Sequence, residues 1–124
     1  MAKIAVLGYG TVGSGVVEVM NINSSMIARR AGEEITIKYV LDLNDFPGTP
    51  AEKLIVHDFE QIVADEEIEL VVEVMGGIEP ANTFVRRSLE AGKSVVTSNK
   101  ALVAKHGAEL LKTAKEHHVN FLFE

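Results

Sequence analysis

Cysteine is absent from the 124-residue chain, which removes disulfides, thiolate nucleophiles and Cys-ligated zinc from the chemistry open to it. No apolar run approaches the length of about 18 residues that a membrane span needs, and no charged-then-apolar leader precedes the first strand. Neither export nor insertion is expected, and the expected compartment is the cytoplasm. Positive charge is in short supply: 12 Lys and Arg stand against 18 Asp and Glu, for a formal net charge of −6. No Lys/Arg pair grows into a basic stripe, so a nucleic-acid partner, which requires phosphate neutralisation, is excluded from the expectations. Internal repeats, low-complexity tracts and linkers are also missing. Asn23-Ser24-Ser25 fits a glycosylation triplet, but without a secretory signal it reads as a polar break after a helix. The size and the 47% apolar content predict one domain over residues 1–124 with a core of its own.

What is present is an alternation. Lys3 to Leu7 reads as a short buried strand that stops at Gly8-x-Gly10-x-x-Gly13, after which Val12, Val16, Val19 and Met20 recur at helical spacing. "ITIKYVLDL" from Ile35 supplies β-branched residues for a second strand with Asp42 at its end, and "DFPGTP" from Asp45 is turn chemistry. "DFEQIVAD" from Asp58 predicts a short helix. "ELVVEVM", Glu69 to Met75, is apolar enough for a parallel strand covered on both faces, and Gly76-Gly77 ends it. Pro80 opens a helix whose stripe is Ala81, Phe84, Val85 and Leu89, with Gly92 placed to cap it. "SVVT" is a fourth strand. From Asn99 a longer helix carries Val103, Gly107, Leu110, Leu111 and Ala114, before "NFLF" forms a fifth. Five strands separated by helices predict an α/β fold with a doubly wound, mostly parallel sheet of the Rossmann type.

Such sheets bind ligands outside the carboxyl ends of their strands. Those ends carry Gly8 to Gly13, Asp42, Gly76-Gly77 and Thr97-Ser98-Asn99-Lys100, which should lie along one edge. Within a strand-turn-helix unit, Gly8 permits the tight turn, Gly10 lets backbone approach a pyrophosphate and Gly13 allows close helix packing. Helix amides then face the phosphates, and cofactor binding is favoured over a purely structural turn. Asp42 is the acidic partner for the adenosine ribose, about nine residues beyond the usual offset of about 20, a delay that the insertion "NINSSMIARRAGEE" explains. Glu73, inside an apolar strand, needs a hydrogen-bond donor, and a structural role is favoured over a catalytic one. Among the histidines, His57 stands isolated, His106 falls on an expected exposed face, and His117-His118 suits a helix C-terminus, with no metal-ligand spacing among them. Lys100 follows the N-cap Asn99, where the helix dipole favours an anion. On that argument alone a functional cation and a solvated lysine stand level.

Val71 to Glu124, with "GGIEPA" and "VVTSNKALVAKHG", resembles the second half of the nucleotide-binding domain of homoserine dehydrogenase, and "VLGYGTVGSGV" is similar to that family's glycine loop. The resemblance implies a cofactor domain cut from a longer enzyme. That enzyme would interconvert L-homoserine and L-aspartate 4-semialdehyde with NAD(P)(H), on the route to threonine and methionine, and would be a homodimer in full length. Tyr9, Thr11 and Val12 would then lie against the cofactor, and Gly76, Gly77, Thr97, Ser98 and Asn99 would border the nicotinamide half. Lys100 would be the lysine at the hydride-transfer site. The family's second catalytic lysine and acidic substrate ligands have no counterpart here, so these residues alone are expected to bind cofactor without turnover. The backbone of Glu124 matches one ligand of a monovalent-cation site whose other ligands are missing, so no complete metal site is expected. Leu41 stands where many members carry an arginine before the aspartate, so NAD is favoured over NADP; Lys38 or Lys53 would have to compensate for a 2′-phosphate. Two rival readings are the cofactor domain of another small-metabolite dehydrogenase and a non-catalytic NAD-sensing module.

Overall fold

The computed structural model describes residues 2–10, 15, 35–49 and 51–123. Thr11, Val12 and Gly13, the helix expected after them, the Asn23 triplet and Glu124 lie outside the described residues. Six parallel strands are described: β1 (Ala2–Leu7), β2 (Ile35–Leu41), β3 (Ile55–Val56), β4 (Ile68–Glu73), β5 (Ser94–Thr97) and β6 (Phe121–Phe123). They form one sheet in the order β3-β2-β1-β4-β5-β6. The chain winds outward from β1 to β3, then returns to the other side of β1 at β4. This is the expected doubly wound fold, with its topological switch point between β1 and β4. The expectation of five strands missed β3, which at two residues is too short to show a period of its own.

The described helices are α1 (Phe59–Val63), α2 (Ala81–Glu90) and α3 (Lys100–Glu116). Asp58 starts α1 by accepting the Glu60 N–H at 2.9 Å. In α2 the expected stripe is in place: Ala81, Val85 and Leu89 are buried and Phe84 is half-buried against the core. Gly92, at φ +84°, follows the C-cap Ala91 and donates to the Leu89 carbonyl at 3.0 Å, so a left-handed glycine ends the helix as expected. In α3 the stripe differs at two of the expected residues, of which Val103 is half-buried against the core. Leu102, Gly107, Leu110 and Ala114 are buried, whereas Leu111 is 45% exposed. Successive helical residues turn by about 100°, so Leu110 and Leu111 cannot both centre on one stripe, and Leu102 takes the buried place.

Side chains from all three helices join Ala5, Leu7, Leu41, Val71 and Val95 in one cluster, and a second gathers Val6, Tyr9, Ile37, Val40 and Ala51. Successive strand residues thus serve opposite faces, which is why β4 reads as a nearly continuous apolar run. The amino ends of the strands are held by charge. Lys38 reaches Asp65 at 2.6 Å and Glu67 at 2.8 Å, and Tyr39 donates to the same Asp65 carboxylate at 2.8 Å. Lys93, buried, donates to the carbonyls of Asp65 and Ile68.

Candidate functional site

The described members of the four groups expected along one edge do lie there, because backbone hydrogen bonds continue the sheet ladders past the strand ends. Gly8 N–H donates to Leu41 at 2.8 Å, Asp42 to Val56 at 3.2 Å, Val74 to Leu7 at 3.0 Å and Ser98 to Glu73 at 3.3 Å. Gly8 turns away from β1 at φ +98°, and a Cβ there would stand 3.2 Å from the Met75 Cα. Only glycine accommodates both the conformation and that approach. Gly10 is exposed and a Cβ built on it would meet no atom within 4 Å, so its backbone lies open.

Between these ends lies a cleft of about 500 Å³ lined by residues that include Gly8, Gly10, Asp42, Leu43, His57 and Met75. Asp42 ties its walls together. One carboxylate oxygen accepts the Tyr9 N–H at 2.9 Å and the other accepts the Asn44 N–H at 3.1 Å. Each oxygen keeps a further lone pair for a ligand hydroxyl. Tyr9 also lines the cleft but is 6% exposed, its ring packed edge-on against Phe46 at 4.7 Å. Phe46 holds a left-handed φ of +48° while its carbonyl accepts from the Thr49 N–H and hydroxyl, so the turn after β2 is a knit structure. Leu43, 91% exposed, stands on that turn at the rim.

The nicotinamide-side candidates form a second, adjoining group. Gly76, Gly77 and residues 97–100 are not among the cleft-lining residues; they are joined to it through a buried network. Glu73, fully buried, accepts the Met75 N–H at 2.7 Å and the Thr97 hydroxyl at 2.6 Å. Thr97 in turn accepts the Asn99 N–H at 3.0 Å. Asn99 donates to the Gly77 carbonyl at 2.6 Å and accepts the Leu102 N–H at 3.1 Å, which makes it the N-cap of α3. The carboxylate that sequence alone required to find a donor therefore has two. Ser98 and Lys100 are exposed, and Lys100 is the first residue of α3.

Two histidines are placed otherwise than expected. His57, read as isolated, lines the cleft, because the parallel pairing of β3 with β2 sets it beside Asp42. Its Nδ1 lies 2.7 Å from the Asp42 carbonyl and its Nε2 lies 2.7 Å from an Asp45 oxygen. These contacts raise its pKa, the Asp42 carbonyl first and the Asp45 carboxylate second. His106 is half-buried on α3 rather than exposed, its side chain 20% accessible and 3.6 Å from Glu109. His117 caps α3 and His118 follows at φ +57°, as the helix end suggested. Lys38, offered for a 2′-phosphate, is taken by Asp65 and Glu67, and Lys53 is exposed outside the cleft lining. Among the described residues no three His, Asp or Glu converge as a metal site, and no helix is long and apolar enough to cross a membrane. Of the cleft residues that sequence reasoning missed, Val74, Met75, Pro80 and Phe84 follow from the end of β4 onward, and four more, Leu43, Asn44, Phe46 and His57, gather around Asp42. Of these last four, all but His57 lie close to Asp42 in sequence, the one signal that could have found them.

The model of the homoserine dehydrogenase NAD-binding domain matches residues 8–124. The chain is 43% identical to homoserine dehydrogenase of Lactococcus lactis over 98% of its own length and 30% of the relative's. It is 42% identical to that of Mycobacterium tuberculosis over 98% and 28%. Homoserine dehydrogenase of Staphylococcus aureus superposes with a TM-score of 0.90 at 37% identity, covering 99% of this chain and 32% of that one. A mutant hyperthermophilic archaeal homoserine dehydrogenase in complex with NADPH superposes with a TM-score of 0.79 at 26% identity, covering 99% and 43%. The chain thus spans about 30% of the length of the relatives it matches.

Proposed function

The chain belongs to the homoserine dehydrogenase family, matching its NAD-binding domain, and on that premise we propose that its cleft holds the nicotinamide dinucleotide with which the whole enzyme interconverts L-homoserine and L-aspartate 4-semialdehyde. The observation that carries this reading is the pairing, at the switch point, of an open Gly10 backbone with Asp42. The residues fit the group: Gly10 lines the cleft and a Cβ there would meet no atom within 4 Å, and Asp42 keeps lone pairs for a ribose diol. Leu43 offers an exposed apolar surface to a base. The bound nicotinamide ring would accept or return the hydride.

What the chain's own residues contribute is position and charge. Glu73, through Thr97 and Asn99, fixes the start of α3 against Gly77. Lys100, exposed at that start, would direct its ammonium to the substrate oxygen and stabilise the charge that develops there during hydride transfer. The reaction belongs to the whole protein, acting as a homodimer, of which these residues form the cofactor-holding domain.

NAD(H) is the preferred cofactor, because Asp42 would repel a 2′-phosphate and Leu41, 6% exposed, offers no cation. Titrating the protein with NADH and NADPH at fixed salt tests both statements. NADH should bind more tightly, and Asp42→Asn should shrink the preference on the order of 10-fold, given about 1.5–3 kcal/mol for a hydrogen bond to a charged group, of which the amide keeps part. Failure of both cofactors to bind would remove the proposal. Tighter NADPH binding would remove only the preference.

A further inference from the structure

Among the described residues that line the cleft, His57 is the one basic side chain. Both its ring nitrogens face atoms that can only accept, the Asp42 carbonyl oxygen and the Asp45 carboxylate, each at 2.7 Å. A neutral imidazole has one N–H and would leave one of these contacts without a proton; the imidazolium satisfies both. From this geometry, and resting on the cleft as a dinucleotide site, we infer that His57 is a specificity-determining residue whose positive charge sets how strongly the adenosine end rejects a 2′-phosphate.

The charge balance at that end makes the effect. Asp42 is the group a ribose diol would meet, and Asp45 stands across the ring from it. The next residue, Asp58, is committed to capping α1 through the Glu60 N–H. With His57 charged, the cluster of Asp42, Asp45 and His57 carries one net negative charge; with His57 neutral it carries two. A 2′-phosphate would feel that difference and a 2′-hydroxyl would not. The two acceptors raise the His57 pKa, so the charge persists above the usual histidine range and is lost as pH rises through the raised value. Discrimination against NADP(H) therefore grows with pH. The His57 side chain is 51% exposed and that of Asp45 78%, so the effect is that of a solvent-screened charge, about 2- to 5-fold in affinity.

Dissociation constants of NADH and NADPH for the full chain, from about pH 6.5 to about pH 9, test this across the range where a histidine titrates. The NADPH-to-NADH ratio of the wild type should climb about 2- to 5-fold over that span. His57→Gln should show the high ratio at every pH, apart from the slope of the phosphate's own ionisation, and His57→Lys should keep the low ratio throughout. A Gln variant with the wild-type ratio at every pH would overturn the inference. So would one that weakens both cofactors equally, since His57 would then only position the turn. Absence of binding by the wild type would overturn the cleft assignment and this inference with it, whereas binding with an unaltered ratio overturns the role of His57 alone.

Discussion

Gly8 and Gly10 are two residues apart and have opposite consequences. Gly8→Ala forces a side chain into φ +98° and onto Met75 at 3.2 Å, and should lower stability by about 1–3 kcal/mol. A Cβ at Gly10 would meet no atom within 4 Å, so Gly10→Val should keep stability within about 0.5 kcal/mol while abolishing cofactor binding, the added methyls occupying the pyrophosphate's approach. Urea unfolding paired with NADH titration separates the two; retained binding in Gly10→Val would reduce the motif to a bend. Lys100 and Lys105 make a similar pair on α3, both exposed. In the whole enzyme, Lys100→Ala should leave cofactor affinity within a few-fold of wild type and cut turnover on the order of 10²–10³, the scale of one lost electrostatic stabiliser. Lys105→Ala should be nearly silent. A reversed result would shift the assignment one turn along the helix. The glycines, Asp42 and Lys100 were legible as candidates because their chemistry is local, whereas His57 was not, since its two acceptors are 15 and 12 residues away in sequence.

At the scale of elements, β4, β5 and α3 are joined by a single carboxylate. Glu73 is fully buried and its register partners are Leu7 on β1 and Thr97 on β5. Replacing it by Gln leaves one accepting oxygen and turns an NH₂ group toward either the Met75 N–H or the Thr97 hydroxyl, which already accepts from Asn99. One bond is lost inside the core, so Glu73→Gln should cost about 1–3 kcal/mol. A denaturation midpoint unchanged from wild type would show that the network does not anchor the start of α3. The helices were readable from their caps and stripes because those signals lie within a few residues of each other. The placement of Leu102 over Leu111 was not, because which of two adjacent faces is covered depends on the packing of α2 against α3.

Across the whole molecule the two ends of the sheet use charge differently. The amino end spends it on structure: Lys38, first, then the Glu67 amide and Tyr39 bring the Asp65 pKa down to about 2. A depressed carboxyl contributes stability above its unfolded pKa of about 3.9 and loses it as pH falls through the folded value. Glu60, lowered by Arg87, and Glu79, lowered chiefly by Thr83, act in the same sense. Urea midpoints should therefore fall from about pH 4 toward pH 2, and Lys38→Met should flatten that slope. A slope equal to that of the wild type would mean Asp65 gains nothing from Lys38. At the carboxyl end Asp42 and His57 line the cleft instead, with Asp45 held against His57 behind them. The sequence by itself determined the alternation of strands and helices, the doubly wound class, the family resemblance and the candidate residues at the strand ends, because periodicity, capping and turn chemistry act over short separations. Only the tertiary structure decided that β3 exists, that Asp42 binds the glycine turn 33 residues away, that Glu73 is satisfied, and that His57 faces the cleft. Each of those depends on which strands lie side by side, and strand order is set by the packing of the whole sheet.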